Sequence, residues 1–186
     1  MKIIKPKLHY DNMTGVLSGE AIGEKIARIK DMAGFYADEN SRKRFDQDVL
    51  VYRVQYYSPV PEGTEGGLFF GNTTVFPGKV GDEYFMTKGH YHAIGNRGEY
   101  YWCIEGSGLL LMMDQDNHTW AEEMLPGSLH YMPAYVAHRS INVRKEPLVF
   151  GACWPSDAGH EYGLILEKGF GLRVKEIKGA MTLVKY

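Results

Sequence analysis

Three histidines and one glutamate occur in this sequence at spacings that suit metal binding. His90 and His92 are two residues apart, so both imidazoles project from the same face if the segment is a β-strand. Glu99 opens the next apolar segment after a glycine-containing loop, and His138 follows later in the chain. Three imidazoles and one carboxylate suit Zn, Fe, Mn, Co or Ni, with coordination positions left for water or substrate. On spacing alone, a surface strand with two incidental histidines is the alternative.

The segments that must position these residues have the pattern of β-strands. From residue 49 onward short apolar runs follow one another, separated by turn pairs such as Pro77-Gly78 and Pro126-Gly127. The predicted strands are 49–57, 68–76, 83–88, 99–105, 109–114, 120–125, 128–132, 137–143, 148–154, 172–177 and 181–185. Many short strands at this spacing are typical of a β-sandwich or β-barrel, so we expect a mainly β fold.

The alternation of side chains along these strands indicates which of them accompany the ligands. Tyr101 shares a face with Glu99, which makes it a candidate substrate contact, although a tyrosine of the core is the alternative. Lys88 has the same strand parity as His90 and His92, so it is expected to point inward near an anionic substrate. A surface lysine that extends its amine into water is the alternative for Lys88.

The N-terminal part of the chain has a different pattern. Ile22, Ile26 and Ile29 recur at i, i+4 and i+7, which predicts an amphipathic helix over residues 20–32. The polar stretch 40–48 predicts a second short helix. No repeat or linker divides the chain, so we expect a single domain. It would consist of an N-terminal extension with a short helix (1–48), a β core (49–154) and a C-terminal extension (155–186).

Composition excludes several classes of protein. The 186 residues carry 21 Lys and Arg against 23 Asp and Glu, a net charge of −2, so no basic surface for nucleic acid is predicted. The longest apolar run, 148–154, is far too short to span a membrane. The N-terminus lacks the apolar region of a secretory signal and the chain has only two cysteines, which favours a cytoplasmic protein.

Two groups of spacings resemble the sequence motifs of the cupins. Six residues separate Glu99 from Gly106, four separate Pro133 from His138, and three separate His138 from Asn142. The loop before Glu99 is longer than is usual in that superfamily. The resemblance implies a cupin jelly-roll barrel that holds a metal in its mouth, here preceded by a small N-terminal helical segment.

At a finer level the chain resembles the cupin-type phosphoglucose isomerases of archaea and some bacteria. The most specific shared segments are Thr-Lys-Gly-His-Tyr-His at 87–92 and Asp-Ala-Gly-His-Glu-Tyr-Gly at 157–163. The others lie at 31–32, 73–75, 77–81, 133–139 and 167–170. They extend over nearly the whole chain, including an N-terminal extension that generic cupins lack.

The resemblance implies a role for each of several residues. The metal ligands would be His90, His92, Glu99 and His138, holding one divalent ion per subunit that is Fe, Zn, Mn, Ni or Co. The substrate phosphate would meet Thr87, the Gly89 backbone, one of Thr73 and Thr74, and Tyr162. Tyr52 and Tyr101 would surround the sugar chain, and Trp154 takes a position at which the family often has tyrosine. His160 has either a role in the pocket or a structural role in its turn.

The function implied by this resemblance is the interconversion of glucose 6-phosphate and fructose 6-phosphate in glycolysis and gluconeogenesis. The reaction would proceed through a cis-enediol, with Glu99 as the best candidate for carrying the proton, or by a hydride shift. The resemblance also implies that the protein is a homodimer and that its substrate is a sugar phosphate. Two alternatives are a metal-dependent dioxygenase on the same scaffold and a non-catalytic cupin that binds sugar phosphates and keeps the metal for stability.

Overall fold

The computed structural model describes residues 1–185 as a mainly β protein. The strands are β1 Leu8–Tyr10, β2 Leu17–Gly19, β3 Ile22–Arg28, β4 Leu50–Tyr57, β5 Leu68–Val75, β6 Lys79–Val80, β7 Glu83–Tyr84, β8 Glu99–Glu105, β9 Gly108–Met113, β10 Thr119–Met124, β11 Leu129–Met132, β12 Ala137–Asn142, β13 Leu148–Pro155, β14 Leu172–Ile177 and β15 Ala180–Lys185. The helices are α1 Glu39–Arg44, α2 Gly163–Lys168 and a 3-10 turn over Ile29–Met32. Within the described range, no helix is long and apolar enough to cross a membrane.

The described strands form four antiparallel sheets. A six-stranded sheet has the order β11-β8-β13-β5-β4-β3, and a three-stranded sheet has the order β10-β9-β12. The central hydrophobic cluster joins side chains from both sheets, among them Phe150 of β13 and Leu110 of β9. A four-stranded sheet, β15-β14-β7-β6, and the β1-β2 hairpin complete the fold. The predicted mainly β cupin fold is confirmed.

The strands that carry the candidate ligands are firmly held. Every residue of β9 and of β12, the strand of His138, is buried, so this part of the second sheet is covered on both sides. Glu99 begins β8, which lies between β11 and β13 in the large sheet. Side chains on rigid, buried strands keep a fixed geometry, which is what a metal centre requires.

The predicted strand 83–88 is shorter in the structure, where only Glu83–Tyr84 form β7. The segment that follows it and carries His90 and His92 is irregular. After β7, its β-pairing within the described residues consists of isolated bridges, at Met86–Ile141, His90–His138 and Tyr91–Glu161. His90 and His138 exchange both backbone hydrogen bonds, at 3.2 and 3.1 Å. This bridge places His138 directly beside the segment that carries His90 and His92.

The helix predicted over 20–32 is wrong. Residues Ile22–Arg28 form β3, which pairs with β4 at the edge of the large sheet, and only Ile29–Met32 make a 3-10 turn. Ile26 is 45% exposed, so the three isoleucines do not form one buried face. β-branched residues favour strands, and pairing with a sequence-distant partner outweighed the local spacing. The second predicted helix exists as α1, and the two predicted C-terminal strands are confirmed as β14 and β15.

Candidate metal centre and active-site cavity

The four predicted ligands meet at one point. Donor atoms of His90, His92, Glu99 and His138 all lie within 4.8 Å of one another. Glu99 Oε2 is 3.1 Å from His92 Nε2 and 3.2 Å from His138 Nε2. Two ligands at right angles around a metal, each about 2.1 Å from it, are about 3 Å apart. The observed spacings therefore match neighbouring positions in a coordination sphere.

Hydrogen bonding around the histidines also favours a cation. His92 Nδ1 lies 2.8 Å from the Arg97 carbonyl oxygen, which can only accept, so Nδ1 carries a proton and donates it. In the neutral ring, Nε2 then presents a lone pair to the Glu99 carboxylate. That contact is favourable only when a proton or a metal ion lies between the two. Among the described residues, His90 Nε2 and both ring nitrogens of His138 are buried without a hydrogen-bond partner.

Electrostatics keep His90 and Glu99 in the forms that bind metal, while the Glu99 carboxylate raises the pKa of His92. Burial lowers the pKa of His90 well below its ordinary value, and the neighbouring His138, His160 and His92 lower it further. Burial alone would raise the pKa of Glu99, but its contacts with His138 and His92 outweigh burial and lower it. Neutral imidazole and ionised carboxylate are the forms that bind metal. Donor set, spacing and charge state together fit a bound metal ion.

The cluster lies in the wall of a cavity of about 870 Å³. Residues of the large sheet, the 87–90 segment and the 154–162 loop form its lining. The sequence-predicted site residues that line it are Tyr52, Thr73, Thr87, Lys88, Gly89, His90, Glu99, Tyr101, His138, Trp154, His160 and Tyr162. His92 lines a smaller neighbouring cavity of about 350 Å³, while its Nε2 faces Glu99.

The structure distinguishes the two adjacent threonines. Thr73 lines the cavity together with Phe69 and Gly71, which share its face of β5. Thr74 has the opposite parity, and in the sheet it pairs with Arg53 and Val149. The structure therefore brings Thr73, and not Thr74, to the other predicted site residues.

Comparison with known proteins gives this arrangement a family. A family model for glucose-6-phosphate isomerase matches residues 26–185. The chain belongs to the glucose-6-phosphate isomerase family. It is 41% identical over 179 residues to the glucose-6-phosphate isomerase of Thermococcus litoralis, covering 95% of this chain and 91% of the relative.

Further members of the glucose-6-phosphate isomerase family match over a similar length. The enzyme of Pyrococcus furiosus is 40% identical over 176 residues, covering 94% of this chain and 91% of the relative. The enzyme of Sinorhizobium medicae is 39% identical over 178 residues, covering 94% and 81%. Among solved structures, Bacillus subtilis oxalate decarboxylase matches with a TM-score of 0.47 and 23% identity, over 59% of this chain and 26% of that one.

Rings surround the metal centre of this family member on the cavity side. The His160 ring lies 4.4 Å from the His90 ring, centroid to centroid, and is stacked on Tyr162 at 5.9 Å with an interplanar angle of 5°. On the other side, Tyr101 lies 5.5 Å from His138 and 4.7 Å from Phe150. His160 therefore lies at the pocket, and its role there stays a prediction.

Sequence reasoning missed two arginines that support the site. Arg97 forms a bidentate ion pair with Asp157, at 3.0 and 2.8 Å, which ties the loop before Glu99 to the loop that carries His160. Arg139 is 3% exposed and holds the Lys88 carbonyl. Each arginine lies more than 50 residues from its partner in sequence, so no local spacing predicts either contact. The match of residues 133–139 to the family, which ends on Arg139, was the available signal.

Proposed function

We propose that this chain interconverts glucose 6-phosphate and fructose 6-phosphate in the cavity beside the His90, His92, Glu99 and His138 cluster. The observation that carries the proposal is the position of this donor set in the wall of a cavity that also holds hydroxyls and a lysine. A divalent ion held by these four side chains, whether Fe, Zn, Mn, Ni or Co, would supply Lewis acidity to the oxygens of a bound sugar. We extend the proposal to a cytoplasmic homodimer.

In the proposal, Glu99 carries the proton between C1 and C2 of the open-chain sugar. Its Oε2 faces His92 and His138, while Oε1 has no hydrogen bond to any described residue. Because the pKa of Glu99 is lowered, the carboxylate is ionised near neutral pH and can accept a proton. Oε1 is thus the oxygen available to the substrate.

The phosphate end of the substrate is assigned to Thr73, Thr87, Lys88, Gly89 and Tyr162. Thr87 Oγ1 accepts a hydrogen bond from the Ser140 amide at 3.1 Å, which leaves the hydroxyl proton free to be donated to an anion. Lys88 lines the same cavity and adds a positive charge. Hydroxyls, an amide and one cation are sufficient to bind a dianion without a phosphate-binding helix.

The sugar chain is assigned to Tyr52, Tyr101, His160 and Trp154. Burial raises the pKa of Tyr52 and of Tyr101, so both phenols stay protonated and can donate to sugar hydroxyls. His160 lies next to the ligand His90 and can orient a hydroxyl or assist ring opening. Trp154 packs edge-on against Phe69 and supplies an apolar wall for the carbon chain.

The proposal is tested by coupling fructose 6-phosphate conversion to a nicotinamide-linked dehydrogenase specific for glucose 6-phosphate. The protein is first chelated and then given single metals. We expect activity to disappear on chelation and to return with one or more of the named metals. Equal inactivity of both forms, with sugar phosphate still bound, would favour the non-catalytic cupin. Oxygen uptake with candidate substrates would favour the dioxygenase.

The route of the hydrogen is tested in the same enzyme with D₂O as solvent. Proton transfer through Glu99 allows exchange with solvent, so deuterium enters the product at C1 or C2. A hydride shift carries the hydrogen directly and leaves the product without solvent deuterium. Mass spectrometry of the product distinguishes the two routes.

A further inference from the structure

The peptide between Lys88 and Gly89 lies between two pinned points of the backbone. On one side, Thr87 donates its amide to the Ser140 carbonyl at 2.9 Å. On the other, His90 and His138 exchange both of their backbone hydrogen bonds. The Gly89 amide, which lies between these points, has no acceptor among the described residues, and Gly89 lines the large cavity. The chain therefore leaves one backbone donor available to a ligand there.

Arg139 holds the other end of that same peptide. Its Nε and Nη2 donate to the Lys88 carbonyl oxygen at 3.1 and 2.6 Å. The guanidinium also lies over the rings of Phe170, at 4.6 Å, and Phe35, at 6.0 Å. Arg139 does not line the cavity, so its influence on a ligand passes through the peptide.

The conformation of Gly89 depends on this packing. Its φ of +71° lies in the left-handed region, which favours glycine. A Cβ there would come within 2.8 Å of Phe170 Cε2, 2.9 Å of Arg139 Cβ and 3.0 Å of the His138 carbonyl oxygen. The hydrogen bonds of Arg139 thus hold the peptide, and the surrounding atoms leave no room for a side chain at position 89.

The charge of the buried Glu83 acts on Arg139 and raises its pKa, but only from beyond ion-pair distance. No Asp or Glu among the described residues forms an ion pair with it, and the buried Glu83 pairs instead with Arg173 Nη1 at 2.7 Å. Burial lowers the pKa of Arg139 to about 10, so it is still protonated at neutral pH.

We propose that Arg139 is a positioning residue for the phosphate group. Its two hydrogen bonds to the Lys88 carbonyl fix and polarise the Lys88–Gly89 peptide, so that the Gly89 amide binds the substrate phosphate. The inference rests on the proposed function, because it takes a sugar phosphate as the ligand. It assigns to a buried arginine outside the cavity the electrostatic role that a phosphate site usually gives to an arginine in direct contact.

The test compares Arg139→Met with the wild-type enzyme, both loaded with metal and checked for metal content. The readouts are the inhibition constant of inorganic phosphate, the KM and kcat for fructose 6-phosphate, and the rise in melting temperature that phosphate causes. We expect the inhibition constant and KM to rise by about tenfold or more, with kcat less affected. Phosphate should stabilise the variant less than the wild type.

Further variants keep the test decisive. Arg139→Gln retains a donor but no charge and serves if Arg139→Met does not fold, while Arg139→Lys retains the charge and should recover part of the phosphate affinity. Arg42→Met is the matched control, since it removes a buried arginine that binds Glu39 and the Ile29 carbonyl instead. It should lower stability and leave phosphate inhibition unchanged.

One outcome overturns the role of Arg139, and a different outcome overturns the proposed function. An unchanged phosphate inhibition constant in a folded, metal-loaded Arg139→Met enzyme overturns the role of Arg139, even if its stability falls, and an unchanged constant in Arg139→Gln overturns the role of its charge. Wild-type protein that does not isomerise fructose 6-phosphate with any of the metals overturns the proposed function itself.

Discussion

Two groups of histidine and glutamate in the described part of the chain contain buried histidines, and they differ in how the ring nitrogens are satisfied. In the first, His90, His138 and their neighbours converge on Glu99, and three ring nitrogens have no hydrogen bond to the described residues. In the second, His130 is 4% exposed, and its Nδ1 and Nε2 lie 2.7 Å from Glu122 Oε2 and from Ser128 Oγ. The first group needs a ligand and the second is already complete.

The contrast shows how hydrogen bonding distinguishes a structural histidine from a functional one. Glu122 can only accept, so His130 Nδ1 donates to it, and in the neutral ring Nε2 accepts the proton of Ser128. These contacts fasten β10 to β11 and leave no nitrogen for a metal. Burial alone would not separate His130 from His138, because both are almost fully covered.

The largest effect is expected when His90→Asn is compared with His130→Asn, one variant from each histidine group. His90→Asn removes one imidazole ligand, so we expect metal affinity to fall by more than about 100-fold and isomerase activity to be lost. His130→Asn should keep metal and activity but lose about 1–3 kcal/mol of unfolding free energy, because a buried side chain loses its two hydrogen bonds. Metal analysis, the coupled assay and urea unfolding measure these effects. Loss of metal from His130→Asn would refute the distinction.

The proposed function gives Glu99 two roles, as a metal ligand and as the carrier of the proton. Glu99→Gln retains an oxygen ligand but not the basic carboxylate, so kcat should fall by about 100-fold or more. The KM for fructose 6-phosphate should change far less, because the phosphate and sugar contacts remain. Metal content must be measured in parallel with the kinetics. Preserved turnover with metal bound would remove Glu99 from the proton transfer.

Residues with short-range motifs were predictable from the sequence, and residues defined by long-range packing were not. The ligands share motif spacings, and 13 of the 14 predicted site residues meet at the cavity or its metal centre. The contact between Arg139 and Lys88 joins positions 51 apart and follows no spacing rule. The isoleucines at positions 22, 26 and 29 have a helical spacing, but the first two lie in β3, whose partner strand β4 cannot be recognised from the local sequence.

A smaller effect separates the two adjacent threonines of β5. Thr73→Val removes a hydroxyl that faces the cavity, and we expect the KM for fructose 6-phosphate to rise by about three- to tenfold. Thr74→Val makes the same chemical change on the opposite face of the strand and should leave KM unchanged. Steady-state kinetics of both variants test this parity. A larger effect on KM at Thr74 than at Thr73 would contradict the assignment of the phosphate to the cavity face of β5.

The smallest effect concerns the metal-free protein in mild acid. The pKa of His90 is far below its ordinary value in the fold, whereas the unfolded chain binds a proton at about pH 6.5. The unfolded state therefore takes up more protons as the pH falls, and stability decreases by at most about 1.4 kcal/mol per pH unit below that point. His92 acts in the opposite direction, because Glu99 raises its pKa, but it is present in both proteins compared. Urea unfolding of chelated wild type and chelated His90→Asn between pH values of about 7.5 and 5.5 should show the steeper loss in the wild type. Equal slopes would mean that His90 binds protons equally in the folded and unfolded states, which would contradict the lowered pKa of His90 in the fold.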